Sequence, residues 1–185
     1  HNQFADSSTD PSGKPRFGGL SPLGKELLKE MNRLGVVPDA SHSSDQVLDD
    51  LLALSTTPVL LTHSGCKAVY DHPRNVDDAH LKALAAKGGV IQMNAYGSYL
   101  KASKPNPERQ KAMSALFASL REGGKITAEK RADLLAKRRE IDRLYPETDR
   151  ATFDDFMTHM LHALEVVGPD HVGIGADWDG GGGVV

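Results

Sequence analysis

The chain has 185 residues, 39% of them apolar and 25% charged, which is enough apolar side chain to bury a core. Its formal charge is −3, from 22 basic and 25 acidic residues, so it lacks the strong positive field that recruits nucleic acid or an anionic membrane. No apolar run approaches the ~18 residues of a membrane span, and the single cysteine, Cys66, excludes an internal disulfide framework and a four-cysteine zinc site.

Residues 1–19 read as loop, rich in Ser, Asp, Gly and Pro. Ser21-Pro22 then starts a helix, with serine as cap and proline where its missing N–H costs nothing. Leu23, Leu27, Leu28, Met31 and Leu34 follow at helical spacing, and Gly35 ends it. The run 36–41 reads as a short strand ending at His42. Ser43 or Ser44 caps a second helix through Leu54, and PVLLT (58–62) reads as a strand ending at His63. A loop through DHPRN leads to a helix at about 77–87, and VIQMN (90–94) reads as a third strand. Residues 101–150 read as a charged helical excursion, with helices at about 107–121 and 127–144. A basic helix such as KRADLLAKRREIDR serves either as a nucleic-acid arm or as a solvated face with i,i+4 ion pairs, and the overall charge favours the second. Thr152 to Val167 forms a further amphipathic helix, and HVGIGADWD (171–179) reads as the fourth strand. Short apolar strands alternating with helices define an α/β fold with a parallel sheet.

The segment opens without Met in a loop and closes on GGGGVV straight after a strand. It is expected to belong to a longer polypeptide that holds any signal or anchor, so the compartment stays open.

In βα folds the functional groups gather at the C-terminal ends of the strands. Here those ends carry His42, His63, Asn94 and Asp177. His42 and His63 are one βα unit apart, so both imidazoles can face one rim site, and neutral imidazole is a common zinc ligand. The alternative is two hydrogen-bonded surface histidines. Two histidines do not complete a catalytic zinc site, so further ligands must come from other strands. Asp177 is the candidate proton acceptor beside a metal-activated water. Asp179 competes, although capping the glycine-rich turn suits it better. Arg74 either holds a substrate carboxylate in its planar fork or ties down its own loop. His159 and His162, at i,i+3 on one helix, read as structural, and Cys66 reads as a buried thiol rather than a nucleophile. The phosphate-cradling, serine-hydrolase and HExxH motifs do not occur, and GGGGVV does not open a helix.

The segments GVVPDASHSS, PVLLTHSGCKAVYDHPRN, GGVIQMNAYGSYL and HALEVVGPDHVGIGADWDG resemble the C-terminal half of the membrane (renal) dipeptidase family, in the amidohydrolase superfamily. The resemblance covers nearly all of 1–100 and 150–183. It implies a (β/α)8 TIM-type barrel, of which this chain supplies about the last four βα units plus the helical insertion, so that 1–185 is the C-terminal part of one hydrolase domain. It also implies two zinc ions bridged by a carboxylate. On that reading His42 and His63 are ligands of the second zinc, Asp177 handles the catalytic proton, Arg74 grips the substrate carboxylate and Tyr99 lines the substrate pocket. The family's His-x-Asp, its bridging Glu and a further substrate histidine have no counterpart here.

The expected activity is zinc-dependent hydrolysis of a dipeptide, with this segment alone inactive. The expected partners are a small dipeptide and a second copy in a homodimer, with no nucleic acid and no membrane contact from this segment. The alternatives are an inactive barrel relative acting in binding or structure, and an amidohydrolase for a cyclic amide or ester.

Overall fold

Local chemistry sets the first helix. The Ser21 side chain accepts the Gly24 N–H at 3.0 Å, Pro22 occupies the first turn, and Gly35 closes the helix in the left-handed region at φ 73°. This helix, α1 (Pro22–Leu34), is followed by α2 (Asp45–Leu54), capped by Ser44. In the computed structural model, which describes residues 1–122 and 127–178, the sheet strands are β1 (Leu60–Cys66), β2 (Asn75–Val76), β3 (Val90–Met93) and β4 (Val172–Ile174). All pairings are parallel, in the order β2-β1-β3-β4. Between them lie α3 (Asp78–Ala86), α4 (Gly97–Leu100), α5 (Pro107–Glu122), α6 (Ala128–Leu144) and α7 (Phe153–Val167). A 3-10 turn at Pro169–His171 leads into β4.

Parallel strands buried on both faces need continuous apolar runs, and this sequence supplies them. Leu61, Ile91 and Met93 of the sheet are fully buried beside Leu81 and Leu84 of α3 and Ala163 of α7. Helix α7 packs on β1, β3, β4 and α3, and α2 packs on α3. Gly175 has no room for a side chain, because a Cβ there would meet the Thr62 carbonyl oxygen at 1.8 Å. That close approach sets the residue after β4 against Thr62 of β1.

Residues 1–102 with those from 151 onward form one compact unit, and Ser103–Arg150 forms a second. Within the second, α5 packs on α6, and Arg109 donates to Asp142 at 2.7 Å and to the Tyr145 carbonyl at 3.0 Å. Helix α6 buries none of its residues and carries an Asp133–Lys137 pair at 2.7 Å, as a solvated face does. Among the described residues no helix is long and apolar enough to cross a membrane.

Four expectations shift. The run 36–41 is not a strand; it contributes one parallel bridge, Asp39 to Leu60, framed by Ala40 N–H to Leu60 O at 2.8 Å and Leu60 N–H to Pro38 O at 2.9 Å. Pro38 lacks the N–H that would extend the ladder. Strand β1 runs on through His63 to Cys66, because β2, hidden in the expected DHPRN loop, pairs with Gly65 and Cys66. The fourth strand stops at Ile174, well short of 179, and α4 was not expected. Asp179 and the GGGGVV segment lie outside the described residues.

Candidate active site

Asp39 and β2 lie along the same edge of β1, one at each end, since β3 occupies the other edge. His42 follows that first rung and sits at φ 69°, in the left-handed region, just before the Ser44 cap of α2. A non-glycine residue held there is strained, and such strain persists where surrounding contacts fix it. Here the His42 carbonyl accepts the Ser8 N–H at 2.9 Å. The loop bearing Ser8 is itself anchored by buried Asp6, whose carboxylate accepts the N–H groups of Arg16, Phe17, Gly18 and Gly19 at distances from 2.7 to 3.2 Å. Burial pushes the Asp6 carboxyl up, but these four donors outweigh it and hold its pKa below the ordinary value.

The structure brings the two candidate imidazoles together. The rings of His42 and His63 have centroids 4.9 Å apart and planes tilted by 59°. Burial pushes the pKa of His42 down, and the charges of Arg74 and His63 add to that, against the opposing pull of Asp177 and Asp39. A neutral ring is the form that ligates a metal.

Behind His63 stands a short relay that the sequence reading missed. The Thr62 hydroxyl lies 2.9 Å from His63 Nδ1 and donates to Asp39 Oδ2 at 2.6 Å. The other Asp39 oxygen accepts the N–H groups of Ser41 at 2.9 Å and Thr62 at 3.1 Å. Burial pushes the Asp39 carboxyl up, and the donors from Thr62 and Ser41 outweigh it, so its pKa lies below the ordinary value. The signal was available: an Asp opposite a Thr-His step on the neighbouring chain segment is within hydrogen-bond reach once the two are paired in parallel.

Arg74 is buried, not a surface arginine, at 3% exposure. Its Nη2 donates to the His63 carbonyl at 3.0 Å, and its guanidinium lies 5.1 Å from the centre of the Tyr99 ring. Burial pushes its pKa down, opposed by Tyr99, Asp177 and Asp39. Its Nε is buried without a hydrogen-bond partner among the described residues. Tyr99 is carried by α4 and also stacks near His72 and Tyr96, each with ring centroids at 4.8 Å. Asn75 holds α4 in place, its amide donating to the carbonyls of Tyr99 at 2.8 Å and Tyr70 at 2.9 Å. Asn94 follows β3 and turns inward to the His63 carbonyl at 3.4 Å.

Asp177 sits at φ 58°, three residues past β4, and lines an open cleft of about 520 Å³ with Thr62, His63 and Trp178. Of the other histidines, His72 joins this region, accepting the Arg74 N–H at 3.1 Å beside the Tyr99 ring, whereas His159 and His162 make their contacts elsewhere. His159 is fully buried, accepting the Cys66 N–H at 2.9 Å on Nδ1 and donating from Nε2 to the Leu100 carbonyl at 2.9 Å. His162 pairs with Asp78 at 2.8 Å. Burial pushes the Cys66 thiol up to about 12, which leaves it unreactive.

Among the described residues, no group of three or more His, Cys, Asp or Glu is placed to hold a metal ion. The donor chemistry of His42 and His63 nevertheless fits one side of a zinc site: two adjacent imidazoles, one of them backed by a hydroxyl and a carboxylate.

The parallel sheet thus brings two imidazoles, a guanidinium and a carboxylate into one region. The membrane dipeptidase family, Peptidase family M19, matches residues 1–185. Among curated proteins, an uncharacterised dipeptidase of Schizosaccharomyces pombe is 32% identical over 97% of this chain and 33% of its own length. Dipeptidase verJ of Clonostachys rogersoniana is 34% identical over 97% of this chain and 34% of its own. The crystal structure of the probable dipeptidase PvdM from Pseudomonas aeruginosa superposes with a TM-score of 0.73 at 30% identity, over 99% of this chain and 50% of that one. A metallopeptidase of Rhodobacter sphaeroides, crystallised with a phosphinate mimic of L-Ala-D-Ala, shares the fold at a TM-score of 0.64 and 24% identity, over 96% of this chain and 39% of that one. The chain belongs to the membrane dipeptidase family. Its fold is the α/β barrel of these structures, of which it matches a part, and it spans about a third of the length of the curated relatives.

Proposed function

We propose that this chain is the C-terminal part of a zinc dipeptidase domain, with the 101–150 excursion as an insertion into it. The carrying observation is the pair of imidazoles 4.9 Å apart on neighbouring segments of one sheet, beside buried Arg74 and rim-facing Asp177. Family membership supports peptide hydrolysis and a metal. His42 and His63 hold one of two zinc ions, and the remaining ligands come from strands outside these residues. Zinc, when bound, supplies a Lewis acid for the scissile carbonyl and a water of lowered pKa.

The chain's own residues do the rest. Asp177 accepts the proton of the attacking water and returns it to the leaving amine, which a rim carboxylate open to the cleft is placed to do. Arg74 presents its guanidinium to the substrate carboxylate and so restricts substrates to those with a nearby free terminus. Tyr99 holds the guanidinium face and lines the pocket.

The test is Asp177→Asn in a protein comprising the complete barrel. Zinc content stays at the parent level while kcat for a free dipeptide falls by roughly 10²- to 10⁴-fold, the usual scale of a general base. Loss of zinc together with activity, or a kcat close to the parent's, overturns the assignment.

A further inference from the structure

The hydrogen-bond chain behind His63 fixes more than its position. Thr62 Oγ1 touches two groups at short range, Asp39 Oδ2 at 2.6 Å and His63 Nδ1 at 2.9 Å. A hydroxyl has one proton to give. An ionised carboxylate only accepts, so the proton of Thr62 goes to Asp39, and the 2.6 Å separation is that of a charge-assisted hydrogen bond. Thr62 Oγ1 therefore meets His63 Nδ1 as an acceptor, and Nδ1 carries the proton. The reverse arrangement sets two acceptors, Oγ1 and Oδ2, against each other at 2.6 Å. Ser41 closes the surround: its hydroxyl oxygen accepts the His63 N–H at 3.1 Å and lies 3.5 Å from Thr62 Oγ1.

We infer that Asp39 and Thr62 are positioning residues that lock His63 as the Nδ1–H tautomer and leave Nε2 as its metal-binding nitrogen. The tautomer follows from the hydrogen bonds alone; its use rests on the reading of His63 as a zinc ligand. A ligating histidine whose second nitrogen donates to such a partner is oriented and made more basic, and loss of the partner typically weakens metal binding 10- to 100-fold.

The isosteric change Asp39→Asn reverses the relay. One oxygen site at position 39 faces two backbone donors, Ser41 and Thr62, so the amide carbonyl takes it. The amide NH2 then faces Thr62 Oγ1 and donates to it. Thr62 is then free to give its own proton to His63 Nδ1, the arrangement in which Nε2 is the protonated nitrogen. Thr62→Ser keeps the relay, and Thr62→Val removes it without changing side-chain shape much.

The experiment uses the protein comprising the complete barrel, labelled with ¹⁵N-histidine, metal-free, at a pH well above the ordinary imidazole value of ~6.5. In the parent and in Thr62→Ser, the His63 resonances show protonated Nδ1 and a lone pair on Nε2. In Asp39→Asn they exchange. The zinc Kd, measured by chelator competition, rises 10- to 100-fold in Asp39→Asn and in Thr62→Val, and stays within about threefold of the parent in Thr62→Ser. Should Asp39→Asn fail to fold by circular dichroism, the comparison of Thr62→Ser with Thr62→Val carries the test. A parent with Nε2 protonated, or zinc affinity unchanged in both Asp39→Asn and Thr62→Val, overturns the inference. A parent that shows the stated tautomer but binds no zinc upholds the relay and overturns the proposed function instead.

Discussion

Arg74 has two tasks available to it, and its surroundings separate them. One arm of the guanidinium, Nη2, ties down the strand by donating to the His63 carbonyl, while Nε has no partner among the described residues. A buried charge with an unsatisfied donor is costly unless something compensates it. A substrate carboxylate is such a compensation, contributing ~1.5–3 kcal/mol per charge-assisted hydrogen bond. Arg74→Ala is expected to lower kcat/KM for free dipeptides by roughly 10- to 100-fold and to change much less for C-terminally amidated dipeptides, which lack the charge. Lysine rescues only in part, since it offers a point charge without the fork. Equal losses on acid and amide substrates, measured side by side, make Arg74 a tie for its own strand and nothing more. The candidate residues are legible as types but not as strand ends: His42 follows an isolated bridge, His63 lies inside β1, and Asp177 stands three residues past β4. What was not legible was partnership: spacing alone does not show that Asp39 meets Thr62 and Asn75 meets Tyr99, across 23 and 24 positions of chain.

At the scale of elements, the Ser21 and Gly35 caps are legible in sequence because they are local, the choice between Ser43 and Ser44 falls to Ser44, and Thr152, expected within its helix, caps it instead. Ser21, Ser44 and Thr152 each open a helix through their own side chains, and Gly35 ends one through its backbone freedom. Strand limits were read poorly because they depend on partners far away in sequence. Strand β1 extends to Cys66 only because β2 pairs with its far end, and 36–41 fails as a strand because only one rung forms. Helix α4 was missed for the same reason: four residues carry too little pattern, and Asn75 and His159 hold them from outside. One tie between elements is pH-sensitive. His80 of α3 lies between Asp77, its own helix cap, at 2.9 Å and Asp49 of α2 at 3.1 Å. Burial pushes its pKa down, yet the two carboxylates outweigh this and raise it above 6.5. A raised folded pKa adds stability that is fully present below the unfolded value and disappears as pH rises through the folded value. The Tm difference between parent and His80→Gln is therefore expected to be larger well below pH 6.5 than well above it. A difference that is flat or grows with pH contradicts the ion-pair account. Asp49 is largely exposed, so solvent screening keeps the effect small.

For the whole molecule, the parallel order β2-β1-β3-β4 explains why the candidate groups converge. Strands that run the same way deliver their C-terminal ends to one rim, and Asp177, distant in sequence, comes near enough to His42 to oppose the lowering of its pKa. The α5–α6 unit carries none of the candidate site residues, and its solvated helices agree with a chain whose net charge is only −3. The ligand count points the same way as the comparisons: two imidazoles fit one side of a zinc site, and the barrels this chain resembles are about twice its length or more. The proposed function requires that His42 and His63 together hold zinc. Anomalous X-ray scattering at the zinc edge, from crystals of the protein comprising the complete barrel, measures this directly. The expected result is an anomalous peak at about 2.0–2.1 Å from a ring nitrogen of both His42 and His63, that of His63 being Nε2. A zinc peak that touches neither imidazole, or a fully zinc-loaded protein with both rings unligated, contradicts it.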